Sequence, residues 1–150
     1  MKQATELTMY IKNRKIDGIH QRAMTIFDKN KAIIFSDESR IINQEMHKFE
    51  KTLIAIKIGL KQFKGLTKNG MVDDSVPIDI FIDSKTIFNW IRLRKCPDKY
   101  LEHLEEILLE MSFLTNPATL YYKRLQNKAK YKKTIKDDKE SVVDFLNKIN

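Results

Sequence analysis

The stretch Glu6-Leu7-Thr8-Met9-Tyr10-Ile11-Lys12 alternates Leu7, Met9 and Ile11 against Thr8, Tyr10 and Lys12. A period of two sends alternate side chains to opposite faces of an extended chain, so these residues read as a half-buried strand. Asn13 to Gly18 is polar and ends in glycine, which predicts a turn. Residues 22–27 and 31–36 read as two further strands, separated by the turn chemistry of Asp28-Lys29-Asn30. Short connections between consecutive strands favour an antiparallel meander.

Past the meander the period changes. Phe49, Leu53, Ile56, Leu60 and Phe63 recur at helical spacing, predicting an amphipathic helix that ends near Gly65. Residues 66–76 are polar and contain Gly70 and Asp73-Asp74, and they read as a mobile loop. Pro77 then opens the apolar run Ile78-Asp79-Ile80-Phe81-Ile82, a fourth strand beginning after a proline, where no N–H is needed. Asp83-Ser84 offers a cap for a helix carrying Ile87, Phe88 and Ile91, and Asp98 a cap for one carrying Leu101, Leu104, Leu108 and Met111. Asn116-Pro117 breaks that helix. Residues 118–122 read as a fifth strand, and a last helix from about Asp138 to Ile149 groups Val142, Phe145, Leu146 and Ile149.

Composition bounds the class. A chain of 150 residues with 42% hydrophobic and 32% charged residues can bury a core as one domain, without a metal or disulfide staple. Cys96 is the single cysteine, and no apolar leader opens the chain, which predicts a reducing compartment and a cytoplasmic protein. No apolar run approaches the ~20 residues that a bilayer crossing requires. The net charge of +8 and pI of about 9.5 favour polyanionic partners. The excess is concentrated. Lys123, Arg124, Lys128, Lys130, Lys132, Lys133 and Lys136 follow one another with no acidic residue between them. Tyr121, Tyr122 and Tyr131 lie in and beside this run, so it offers phosphate contacts with rings for stacking; the plainer reading is a solvated loop. It carries too few apolar residues for a membrane-surface helix. Arg92, Arg94 and Lys95 form a second basic cluster.

The order strand-strand-strand-helix-strand-helix-helix-strand-helix (βββαβααβα) resembles the ribonuclease H-like superfamily, over nearly the whole chain. Leu7 to Asn13 is similar to that family's first strand, which typically ends in Thr-Asp-Gly. Ile80-Phe81-Ile82-Asp83-Ser84 resembles its strand-to-helix junction, and Glu140-Ser141-Val142-Val143-Asp144-Phe145-Leu146 its last helix. The resemblance implies an α/β fold with a mixed five-stranded sheet, flanked by helices. It also implies four carboxylates around two magnesium ions, one ion preparing the attacking water and the other stabilising the leaving oxygen.

Against that pattern the first carboxylate falls on Lys12, with Asn13 where glycine is usual. The second falls on Thr52, or on Glu50 if the helix slides by two residues; the core positions favour Thr52. Asp83 matches the third, and Asp144 the fourth. The family often carries a histidine after the last strand, but none follows His103 here. A displaced first strand would instead bring Asp17-Gly18 forward as the Asp-Gly pair. Each residue also has a plainer reading. Asp83 serves as a helix cap, Asp144 and Glu50 as solvated helix residues, and Lys12 as a strand-end lysine reaching for water.

The expectation is therefore a ribonuclease H-like protein that binds nucleic acid or regulates, with a degenerate metal site and no cofactor. Lys12 would serve as counter-charge to Asp83 in place of a divalent ion. One alternative is an active magnesium-dependent nuclease that cuts RNA in RNA–DNA hybrids with Asp17, Glu50, Asp83 and Asp144. Another is an adaptor that binds a protein partner and has no nucleic-acid role.

Overall fold

The computed structural model describes residues 7–41, 44–124 and, as backbone only, 139–141. Its strands are β1 (Leu7–Ile16), β2 (Ile19–Phe27), β3 (Ile33–Arg40), β4 (Ile78–Ile82), β5 (Ala118–Tyr122) and β6 (Lys139–Ser141). Its helices are α1 (Lys48–Lys68), α2 (Lys85–Leu93) and α3 (Leu101–Ser112), the last entered through a 3-10 turn at Asp98–Tyr100. The sheet runs β3-β2-β1-β4-β5-β6. The meander is antiparallel. β1, β4 and β5 are parallel.

Alternation along the central strands sorts the two faces of the sheet. Leu7, Met9, Ile11, Ile78, Ile80, Ile82 and Leu120 are buried, and they join Leu53, Ile56, Leu60 and Phe63 of α1 with Leu104, Ile107 and Met111 of α3 in one core. Gly59 permits the close approach of α1, because a Cβ there would meet Ile11 Cδ1 at 3.0 Å. The helix and the strand that precedes Lys12 are thus held in direct contact. Gln62 of α1 donates to Asp37 Oδ2 at 2.9 Å, tying the helix to β3.

The order of the first eight elements, β1 to β5 with their three helices, is the expected one, but several boundaries differ. β1 does not turn at Asn13. It continues to Ile16 because β2, starting at Ile19, pairs with every residue from Thr8 onward and satisfies its backbone. Only Asp17 and Gly18 form the connection. Both have positive φ, 51° and 79°, as a two-residue hairpin whose twist matches its strands requires. β3 begins two residues late, because Lys31 takes φ 67° in the preceding turn. Helix α1 runs past Gly65 to Lys68.

The stretch 66–76, expected to be a mobile loop, is pinned at several points. Leu66, Val72 and Val76 are buried, and the Asn116 amide donates to the carbonyls of Asp73 and Val76 at 3.0 and 2.8 Å. Asp98 makes no capping hydrogen bond to α3. Lys139–Ser141, expected within the last helix, instead pairs antiparallel with β5. A local apolar period cannot register that an unpaired strand edge lies alongside. The rest of that helix, residues 142–150, lies outside the described residues. Among the described residues, no helix is long and apolar enough to cross a membrane.

Candidate functional site

The parallel pairing of β1, β4 and β5 stops at one level, at Ile11, Ile82 and Tyr122, while β1 itself runs on to Ile16. Tyr10, Phe81 and Tyr121 are register partners on the face of the sheet opposite the helical core. Their rings form a row, with Tyr10 stacked on Phe81 at 5.1 Å and Phe81 on Tyr121 at 4.7 Å. Phe27 of β2 meets Tyr10 edge-on at 5.7 Å. Two residues further along each strand, on the same face by the period of two, stand Lys12, Asp83 and Lys123. The Lys123 amide donates to the Ile82 carbonyl at 2.9 Å, which continues the β4–β5 ladder to this level. Lys123 is buried, with its ammonium 5.8 Å from the Phe81 ring centroid.

Asp83 is half-buried. Loss of water pushes its carboxyl up to about 6, against the opposing pull of the Lys12 ammonium and of its own backbone N–H. Lys12 is lowered by burial first and by Arg14 second, while Asp83 pulls it the other way. Each group is thus the counter-charge of the other in a part-desolvated site. Asp83 is not the helix cap. Ser84 holds that position, its hydroxyl accepting from the Ile87 amide at 3.2 Å. The carboxylate is left outside the helix, facing Lys12.

Thr52 of α1 lies next to Asn13, whose side-chain amide donates to Thr52 Oγ1 at 3.4 Å. The Thr52 hydroxyl in turn donates to the Lys48 carbonyl at 3.0 Å. Of the two helix residues, Thr52 is therefore the one that lies next to β1. Glu50 points elsewhere and pairs with His103 Nε2 of α3 at 3.0 Å. Asp17 sits in the hairpin turn, five residues beyond Lys12, or roughly 16 Å along an extended strand. It is not brought to Asp83. Displacement of the strand is ruled out by the continuous β1–β2 register through Lys12 and Asn13.

Magnesium requires several hard oxygen ligands in strict geometry. Beside Asp83 the described residues place the Lys12 ammonium, while Asn13 and Thr52 join each other on the helix-covered face of the sheet, the hydroxyl already engaged with a carbonyl. This set does not fit the ion. Among the described residues no three His, Cys, Asp or Glu side chains cluster to hold a metal. Asp144 lies outside the described residues, as do Lys128, Lys130, Lys132, Lys133 and Lys136. Lys123 and Arg124 place the start of the basic run at the same end of the sheet as Asp83. Arg92, Arg94 and Lys95 are exposed at the far end of α2, with Arg94 as its left-handed C-cap.

The aromatic row and the Glu50–His103 pair escaped sequence reading. The first was latent in the strand alternation, two residues before Lys12 and Asp83. The second joins residues 53 apart on different helices, and no local pattern marks it.

A sheet with a three-stranded antiparallel meander, continued by parallel strands and covered by helices on its core face, is the ribonuclease H-like α/β fold, and this chain has it. Solved structures agree. LC11-RNase H1 in complex with an RNA/DNA hybrid, a protein isolated from compost by a metagenomic approach, superposes with a TM-score of 0.61 at 15% identity, over 82% of this chain and 87% of that one. RNase H1 from the halophilic archaeon Halobacterium salinarum NRC-1 gives 0.56 at 10% identity, over 80% and 86%. The foamy viral protease-reverse transcriptase in complex with dsDNA gives 0.54 at 10% identity, over 85% and 86%. No protein-family model matches the chain, and no curated protein matches it in sequence.

Proposed function

We propose that this protein is a nucleic-acid-binding or regulatory module on a ribonuclease H-like fold, in which metal-assisted cleavage has been lost. The observation that carries this reading is Lys12, which stands beside Asp83 at the position where a two-metal site needs a carboxylate. An ammonium there repels a divalent cation and neutralises Asp83 by itself.

What remains is suited to a polyanion. Lys123 and Arg124 begin the basic run at the same end of β5, and Arg92, Arg94 and Lys95 add a second positive group beyond α2. Lysines and arginines that neutralise phosphates release condensed counterions, so the contact is strong at low salt and insensitive to sequence. The complexes of LC11-RNase H1 with an RNA/DNA hybrid and of the foamy viral enzyme with dsDNA support nucleic acid as the partner class.

The test is incubation of the purified protein with a labelled RNA–DNA hybrid in Mg²⁺ or Mn²⁺, with retention measured in parallel across a salt series. Salt-sensitive binding without cleavage is expected. Specific cleavage that disappears in Asp83→Asn would overturn the metal-free reading. Failure to bind hybrid, duplex or single strands even at low salt leaves a protein adaptor.

A further inference from the structure

We infer that the ring cluster formed by His47, Phe49 and Trp90, backed by Tyr100, is a stacking surface for an unpaired nucleobase of a single-stranded segment. The inference rests on the nucleic-acid reading above and names a contact that reading does not contain. Three elements meet here: the N-terminal turn of α1, the second half of α2, and the 3-10 turn before α3.

The rings are held rigidly. Trp90 stacks on Tyr100 at 5.4 Å with an interplanar angle of 27°, and Tyr100 is itself buried. Phe49 meets Trp90 edge-on at 5.4 Å. His47 lies 5.0 Å from Phe49 and is exposed. Its Nδ1 accepts from the Phe49 amide at 3.1 Å, so the imidazole is fixed by its capping role. A preset ring surface loses little conformational entropy when a base settles on it.

The charge around the rings favours a polyanion. The Lys48 ammonium lies 5.6 Å from the Phe49 centroid, and the Lys99 ammonium 5.2 Å from that of Tyr100. Both lysines are exposed, as are Arg92, Arg94 and Lys95 at the end of α2. Glu50, Asp98 and Glu102 are acids in the same turns. Phe49 and Trp90 are half-buried, packed on the core, and aromatic rings set among cations are what sequence-tolerant single-strand binding uses.

The surface is also placed correctly. Thr52, beside the end of β1, is one helical turn from Lys48. Trp90 is seven residues past Asp83, about 10 Å along a helix axis. The rings thus sit on α1, which packs against β1, and on α2, which follows β4.

Trp90 is the only tryptophan in the chain, so intrinsic fluorescence reports on this surface alone. The full chain is titrated with a short single-stranded oligodeoxythymidylate, and Trp90 emission is followed beside the anisotropy of the same oligonucleotide carrying a dye. Emission is expected to be quenched along the binding isotherm. Phe49→Leu keeps apolar volume and is expected to weaken single-strand binding about 5- to 150-fold, the range of one base–aromatic stack, while blunt duplex binding is unchanged. Oligonucleotide binding with unaltered Trp90 emission overturns the inference and leaves the broader reading standing. No anisotropy change at low salt overturns the inference, and the same titration with hybrid and duplex decides the broader reading separately. The wild-type titration decides the matter even if Phe49→Leu fails to fold.

Discussion

Lys12 and Asp83 stand side by side on adjacent parallel strands, one step past the register pair Ile11 and Ile82. Each perturbs the other's protonation, Lys12 favouring the ionised carboxylate and Asp83 the ammonium. Burial works against both charges.

The first prediction concerns acid stability. Asp83 titrates near 6 in the fold against an ordinary 3.8, so between these values the folded chain binds more protons at this site than the unfolded chain. Its contribution to stability is fully present below about pH 4 and is lost as pH rises through about 6. The difference in unfolding free energy between wild type and Asp83→Asn should therefore shift in favour of wild type as pH falls from 7 to 4.5, by at most about 3 kcal/mol. Urea denaturation of both proteins across that range measures it. A difference that does not vary with pH removes the desolvated carboxylate from the account.

Lys12→Asp places a second carboxylate beside Asp83. Without metal the pair repels and the variant should be less stable than wild type. Millimolar Mn²⁺ should then raise its melting temperature by about 2–4 °C for each kcal/mol of binding and leave the wild-type value unchanged. Equal stabilisation of the two proteins by Mn²⁺ would show that the lysine is not what bars the ion.

Changing Lys130, Lys132 and Lys133 together to Gln should weaken nucleic-acid binding at every sequence tested. It should also flatten the dependence of log affinity on log salt by about 2 to 3 if all three contact phosphate. Circular dichroism should report the same fold. An unchanged slope assigns the phosphate contacts elsewhere.

Ser84→Ala removes the cap of α2 and should cost about 1 kcal/mol. Asp83→Asn should leave that cap intact, since the Ile87 amide is held by Ser84. Thermal melts of the two variants at pH 7 separate the roles. A loss in Asp83→Asn equal to that in Ser84→Ala would return Asp83 to a capping function.

Much of this was legible in the chain itself. The alternation of Leu7, Met9 and Ile11, the helical spacing from Phe49 to Phe63, and Pro77 before Ile78 are local patterns, set by which side chains must leave water. They determined the element order and, with it, the fold. The placement of Lys12 and Asp83 followed as well, because strand order and strand length decide which ends meet.

Tertiary structure decided what depends on a neighbour. Residues 13–16 are too polar to announce a strand, yet β2 supplies the hydrogen bonds that make them one. Glu50 and Thr52 lie on one helix two residues apart, and only the packing of Gly59 against Ile11 turns Thr52 toward β1 and Glu50 toward His103. Lys139–Ser141 joined the sheet because β5 offered an unpaired edge. Periodicity records the demand of each side chain for burial; backbone pairing and helix rotation answer to partners far away in sequence, and those exist only once the chain has folded.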